Sequence, residues 1–327
     1  MCSPRAAQSD VPAPTQLARL VGRAAVAEAE SWVRGIPGHR FGLFGRALGV
    51  RAAIRGEGLQ GGALVLTPVN SVRYWEFDFA DRHLRPGGGR ALDVSSPRLF
   101  SMYLAHRRRF DTVVVANPDE SDLSSTRRLV EACGLSRIET LAGDVGAVTA
   151  SKFAAVWSIS VVEHIPGERG DAEAVQAMFQ ALEPGGVLVI TVPTDREAWD
   201  EVRSTDTYDL GASPDELGQY FFQRFYDKAS IRERIIAAIG IEPSATEWFG
   251  EIRPGTFHAY VANWLTRGFE ATVQDPAFIA RNFKVFGDWE AMPGMGVCGM
   301  TFHAPRTGVT TSAVGASRHD DADRVAR

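Results

Sequence analysis

The chain has 327 residues and a formal charge of −5, with 35 Lys and Arg against 40 Asp and Glu; 45% of it is hydrophobic and 23% charged. That balance excludes a wholly disordered chain and a global basic field of the kind that binds nucleic acid. Three scattered cysteines, Cys2, Cys133 and Cys298, exclude a disulfide framework or a thiolate zinc site, and a reducing cytoplasm is the expected compartment.

Residues 1–15 and 306–327 are polar and rich in small side chains, and both read as disordered tails. The first residues lack the apolar stretch of a secretory signal. No run of about 18 apolar residues predicts a membrane span. Residues 16–84 are expected to form an N-terminal helical cover. Its first helix places Leu17, Leu20, Val21, Ala24, Ala25, Ala27 and Val33 near one face. The stretch closes on an aromatic-rich segment holding Arg73, Tyr74, Trp75, Glu76 and Phe77, which either caps a ligand cleft or covers a sheet edge.

From Arg90 onward strands and helices alternate. RALDVS, DTVVVAN, RIETLAGD, FAAVWSISVV and GVLVITVP read as strands, and DTVVVAN is nearly continuous in apolar residues as a doubly covered parallel strand is. Between them PRLFSMYLAHRR, ESDLSSTRRLVEACG and DAEAVQAMFQALEPGG read as helices. The fold class is therefore α/β, a doubly wound and mostly parallel sheet with right-handed crossovers. Ligands in such sheets bind beyond the carboxyl ends of the strands. An insert over residues 194–229 follows the fifth strand; with Tyr208, Tyr220, Phe221, Phe222, Phe225 and Tyr226 it reads as a lid for acceptor recognition or as a packed helical cover. ATEWFGE and GVCGMTFHA are the last expected strands, with helix between them.

The first strand runs into LDVSSPRLF where a dinucleotide-binding unit would carry GxGxxG, so an NAD site is disfavoured. GxSxG is absent, and no HExxH or Asp-rich loop points to a metal. Over residues 85–305, LDVSS, LAGD, FAAVWSISVVEHIPG, LEPGGVLVITVP and GVCGMTFHA occur in an order that resembles the class I S-adenosylmethionine-dependent methyltransferases of the type 11 kind, with a degenerate glycine loop. The resemblance implies a Rossmann-like sheet of seven strands, the last antiparallel, with S-adenosyl-L-methionine as cofactor.

It also implies roles for individual residues. Asp93 matches the acid that organises the first loop, and Ser95 and Ser96 stand where the loop glycines usually lie. Asn117 takes the place of the ribose-gripping acid, with Asp119 two residues on as a substitute. Asp144 matches the adenine-side acid, with Val145 beside it. Ser160 and Val161 would line the cleft. The alternatives for Asp93, Asn117 and Asp144 are ordinary turn and helix-start roles.

Methyl transfer is an in-line displacement in which positioning carries much of the barrier. His164, Glu163 and His258 are the candidate catalytic groups. His164 is the leading base because its ordinary pKa lies near working pH; the alternative is a structural histidine. Arg73, Tyr74, Glu76, Tyr208, Tyr220, Phe222 and Tyr226 are the candidate substrate contacts. The expected function is methyl transfer to a small molecule in bacterial-type biosynthetic metabolism, by a cytoplasmic homodimer with no nucleic-acid or membrane partner. Two alternatives stay open: the same fold used for non-methyl chemistry, or a non-catalytic protein that binds a partner through its N-terminal helices.

Overall fold

The computed structural model describes residues 14–84, 87–148, 152–207 and 213–306. The two expected tails fall almost wholly outside the described residues. Four helices precede the sheet: α1 (Pro14–Val33), α2 (His39–Ile54), α3 (Gly58–Leu66) and α4 (Arg73–His83). The alternating region follows as β1 (Arg90–Val94), α5 (Arg98–His106), β2 (Thr112–Asn117), α6 (Glu120–Cys133), β3 (Ile138–Ala142), β4 (Phe153–Ile159), α7 (Gly170–Gln180) and β5 (Leu182–Thr194). Next come β6 (Trp199–Arg203), β7 (Tyr220–Phe225), α8 (Lys228–Ile231), a π-turn, α9 (Ala237–Ile239) and β8 (Ala245–Glu251). The chain ends in α10 (Thr256–Arg267), α11 (Phe269–Thr272), α12 (Asp275–Asn282), β9 (Phe283–Phe286) and β10 (Gly296–His303).

The main sheet has the order β3-β2-β1-β4-β5-β10-β8-β9. β1 to β5 pair in parallel, and β10 runs antiparallel to both β5 and β8. The sheet therefore has eight strands, one more than expected. The extra strand, β9, pairs with β8 at the edge and buries Phe283 and Phe286 while Lys284 and Val285 face out. It is four residues long and follows α12 without a turn signal, which hides it from periodicity.

Both faces are covered, which is why the central strands are apolar at nearly every position. Ala91, Val113, Val115, Trp157 and Val189 pack on one side with α2, α4, α5 and α6. Leu92, Val114, Val156, Leu188 and Met300 pack on the other with α7 to α9.

The RYWEF segment is α4, and it lies on a sheet face, so it is not an edge cover. Trp75 stacks on Phe249 at 5.3 Å and on Phe79 at 5.4 Å between ring centroids. Full burial of Trp75, Phe77 and Phe79 contributes about 2–3 kcal/mol each. Gly299 makes the approach feasible, since a Cβ there would come within 2.7 Å of the Phe79 ring.

In α1 the buried stripe is Leu20, Ala24, Ala27 and Ser31, whereas Leu17, Val21 and Val33 are exposed; the apolar face predicted from sequence is rotated. The insert is also not a helical cover. β6 and β7 form an antiparallel two-stranded sheet of their own. No described helix is long and apolar enough to cross a membrane.

Candidate functional site

The carboxyl ends of β1, β4 and β5 and the start of the antiparallel β10 meet at one edge of the sheet, so loops from four strands converge there. Two of the turns hold a serine in the left-handed region, Ser95 at φ 54° after β1 and Ser160 at φ 46° after β4. A third, Ser71 at φ 49°, precedes α4. Such conformations are unfavourable for residues with a Cβ and persist only where the surroundings impose them; they cluster at functional sites.

The surroundings can be named. Asp93 is fully buried and accepts from the Ser96 amide at 2.9 Å and from the Ser101 hydroxyl, which ties the first loop to α5. Burial pushes its carboxyl up to about 6, against the pull of those donors. The Ser95 hydroxyl donates to the Ala116 carbonyl at 3.1 Å, and the Ser96 hydroxyl accepts from the Ile159 amide at 3.0 Å. The loop thus turns its side chains into the protein.

Glu76 joins α4 to the two central strands. It is fully buried and accepts from Ser160 Oγ at 2.5 Å and Thr191 Oγ1 at 2.7 Å on one oxygen, and from Arg73 on the other. Burial alone would raise its carboxyl, but the Arg73 charge and the three donors outweigh it and hold the group below the ordinary glutamate value. Neither the periodicity nor the motifs marked Glu76 as this junction; its place in an aromatic run was the only signal.

Beside the junction opens a cavity with about 960 Å³ of empty space, counting its open mouth. Arg73, Ser160 and Glu163 form its polar floor, and Arg203, Phe222 and Phe225 of the hairpin overlie it. Phe257, Tyr260 and Trp264 of α10 make a third wall. That wall is set by Glu251, which accepts from the amides of Gly255 and Met295, each at 3.0 Å, and from Phe257 at 2.8 Å. Glu251→Gln is expected to lose about 1–3 kcal/mol in urea unfolding, because an amide NH2 would then face a buried N–H donor. An unchanged midpoint would show that this end of α10 relaxes freely.

Glu163 is buried and lines the cavity. Its Oε1 lies 3.8 Å from His164 Nε2, and its Oε2 has no hydrogen-bond partner among the described residues. Burial pushes its carboxyl up to about 7. His164 Nδ1 meets the Phe222 carbonyl at 2.7 Å, so that nitrogen carries the proton, and burial lowers the imidazole pKa well below its ordinary value. The ring is neutral near pH 7 and fastens the hairpin to the turn after β4. Of the two adjacent groups, Glu163 is the one that lines the cavity.

The other sequence candidates fall in different places. Asn117 accepts from the Asp119 amide at 2.9 Å and donates to Asp122 at 3.2 Å, and Asp119 caps α6 through the amides of Ser121 and Asp122. Asp144 is exposed and accepts from the Gly146 amide at 2.8 Å; Val145 beside it is buried. Val161 is half-buried next to Ser160.

Tyr74 points the other way from Arg73. It is fully buried, with its hydroxyl 3.2 Å from where a Cβ on Gly42 of α2 would stand, and so belongs to the helix interface and not to the cavity. Tyr226 is likewise removed from the cavity, because its hydroxyl donates to Asp171 at 2.7 Å in the opposite core. Tyr220 is half-buried at the start of β7 and does not line the cavity. His258 sits on α10 and not in a loop; the helix turns Phe257 and Tyr260 inward and leaves His258 exposed. Tyr208 lies outside the described residues. Among those residues no cluster of three or more His, Cys, Asp or Glu could hold a metal ion.

No protein-family model matches the chain, and no curated protein matches it. Several solved structures are similar to it in backbone path. The [4+2]-cyclase SpnF shares 18% identity over 72% of this chain and 82% of its own, with a TM-score of 0.45. Coclaurine N-methyltransferase, solved with N-methylheliamine and S-adenosylhomocysteine, shares 12% over 69% of this chain and 70% of its own at 0.44. The N-methyltransferase NodS of Bradyrhizobium japonicum, solved with S-adenosylhomocysteine, shares 13% over 72% and 87% at 0.41.

Proposed function

We propose that the chain transfers a methyl group from S-adenosylmethionine to a small molecule held in the cavity under the hairpin. The observation that carries this reading is the convergence of three segments. LDVSS, SISVVEH and LEPGGVLVITVP, which carry the sequence resemblance, end on the same side of the sheet, where a partly open cavity with a polar floor lies. The residues present fit the cofactor in one respect that the sequence left in doubt. Ser95 adopts the left-handed turn that a loop glycine would supply, and its hydroxyl is bonded back to Ala116, so the turn stays tight without glycine.

In this reading the backbone of the Ser95–Pro97 turn, the Ser160 turn and the Asp144–Val145 segment would hold the cofactor. When bound, the cofactor supplies an electrophilic methyl group on a sulfonium. The chain's own part is positioning and exclusion of water: the hairpin and α10 close over the acceptor, and Arg73 and Glu76 hold the Ser160 turn in place.

Titration with S-adenosylhomocysteine tests this directly. Binding heat and an upward thermal shift are expected, since a ligand at about 100 times its Kd stabilises the folded state by about 2.7 kcal/mol. Neither effect at about 1 mM ligand would overturn the reading.

A second reading, the same fold used for non-methyl chemistry, is favoured by one observation. Of the residues matched to the ribose, Asp119 is engaged in capping α6, and Asn117 is bonded to the Asp119 amide and the Asp122 carboxylate. Cofactor binding without transfer of labelled methyl to any of a broad panel of acceptors supports that second reading.

A further inference from the structure

We infer that the cavity takes a flat, uncharged, largely apolar ring system bearing a hydroxyl group, and that Glu163 is the acceptor of that hydroxyl's hydrogen bond and of its proton. The inference rests on the methyltransferase reading for its chemistry and on the cavity alone for its ligand class.

The walls favour an uncharged ligand. Phe222, Phe225, Phe257, Tyr260, Trp264 and Phe283 give the cavity six aromatic rings, a lining suited to stacking on a flat ligand. The two guanidiniums on the walls are already matched. Arg73 pairs with buried Glu76, and Arg203 donates to Glu201 at 3.0 and 3.1 Å. An anionic ligand therefore meets two guanidiniums whose carboxylate partners are in place. A cationic ligand finds one of the six faces, that of Phe222, already taken by the Arg203 guanidinium, 3.2 Å from the ring centroid, so the test below includes a cationic probe.

Other polar groups on the walls are tied back into the protein. Gln223 donates to Glu201 at 2.6 Å, Tyr260 to Asp275 at 2.9 Å, and Ser160 to Glu76 at 2.5 Å. Among the described residues the lining side-chain oxygens without a partner are Glu163 Oε2 at the floor and Asn70 Oδ1 and Ser71 Oγ beside α4. A buried oxygen left without a donor is costly, more so if charged, so a ligand O–H placed there is strongly favoured. Glu163 lies in the turn that follows Ser160, the end of the cavity nearest the proposed cofactor turn, and this places an acceptor hydroxyl where transfer would occur.

The step balances without a further reactant. As the hydroxyl oxygen's electron pair forms the new C–O bond, its O–H bond breaks and the proton passes to Glu163 Oε2. The cofactor departs as a neutral thioether, and Glu163 then returns the proton to solvent. The groups that face Glu163 are Arg73 and Glu76 from α4, Tyr226 from the end of β7, and its neighbour His164. Glu76 and Tyr226 are engaged in their own bonds, His164 is neutral, and the Arg73 charge works against the rise.

The test uses the full chain and four fluorescent probes of one ring size: 2-naphthol, naphthalene, 2-naphthoate and 2-naphthylmethylamine, each titrated with and without S-adenosylhomocysteine. Tightest binding is expected for 2-naphthol, by tenfold or more over the other three. Glu163→Gln is expected to bring 2-naphthol to within about threefold of naphthalene while naphthalene affinity stays put, which also shows that the variant cavity is intact. The wild-type preference for 2-naphthol over naphthalene should weaken below pH 7 as Glu163 takes a proton, and the variant should show no such profile. Tighter binding of the carboxylate or the amine overturns the ligand class. An unchanged 2-naphthol to naphthalene ratio in Glu163→Gln overturns the role of Glu163. Failure of S-adenosylhomocysteine to bind while the naphthol preference holds overturns the methyltransferase reading and leaves the ligand class supported.

Discussion

Glu76→Ala is expected to destabilise the folded chain by about 3–5 kcal/mol, the cost of breaking a buried ion pair. The loss would come mainly from what remains. Arg73 is only 6% exposed, and without Glu76 its guanidinium stays buried beside the cavity with its matching carboxylate gone. Ser160 Oγ and Thr191 Oγ1 lose their acceptor in the same step. Urea unfolding of three proteins separates charge from volume. Glu76→Ala should show the large loss, whereas Arg73→Met with Glu76→Leu should recover most of it, because an apolar pair of similar volume removes both charges at once. A double variant as unstable as the single would show that the junction acts by shape and not by charge.

The same group has an acid dependence of definite sign. Its carboxyl is held below the ordinary value in the folded chain, so its contribution is present above the unfolded pKa of about 4.3 and is lost as pH falls through the lower folded value.

Asp275 is expected to behave in the opposite sense. It is fully buried; its Oδ2 accepts from the Ser71 amide at 2.8 Å and from Tyr260 Oη at 2.9 Å, and its Oδ1 has no partner among the described residues. Burial outweighs the two donors and pushes the carboxyl up to about 7. The folded chain therefore binds this proton more tightly than the unfolded chain, whose aspartate has a pKa near 3.9. Stability contributed by the protonated group is full below about pH 4 and is lost as pH rises toward about 7, a span on the order of 4 kcal/mol as an upper bound.

Asp275→Asn keeps an oxygen for Ser71 and Tyr260 and removes the charge. It should be more stable than the native chain at pH 8 by about 1–3 kcal/mol and no more stable at pH 4. Urea midpoints of both proteins between pH 4 and pH 8 measure this. Parallel curves would mean that Asp275 stays ionised, held by a donor brought in from elsewhere. Asp93 and Glu163 are raised in the same direction, so the variant curve should flatten and not become level.

How much of this was legible from the residues depended on the range of the interactions. β1, β2, β4 and β5 were readable because they are buried on both faces and so are apolar along most of their length. β9 was not, because four residues with two buried phenylalanines carry no period, and β8 selects them only once it is in place. The insert was identified by position but misjudged in type: Tyr220 to Phe225 pairs with Trp199 to Arg203 across a long connection, and local propensity does not reveal such a partner.

The candidate site divides in the same way. Asp93 lies in β1, Ser95 and Ser96 follow it, and Ser160 and Glu163 follow β4, so their place near the strand ends was readable from sequence order. Which neighbour in a run faces the cavity was decided by helix phase. Adjacent residues of a helix point about 100° apart, so Arg73 reaches the floor while Tyr74 is buried against α2. His258 and Phe257 part company on α10 for the same reason.

The sequence by itself determined the α/β class and the central strand run, since these depend on burial patterns and local turns. Only the tertiary structure decided which carboxylate is left unpaired. Glu76, Glu163, Glu251 and Asp275 are alike as residue types. What separates them is how many donors the surrounding elements bring within hydrogen-bond reach, and that count exists only when strands and helices distant in sequence have packed together.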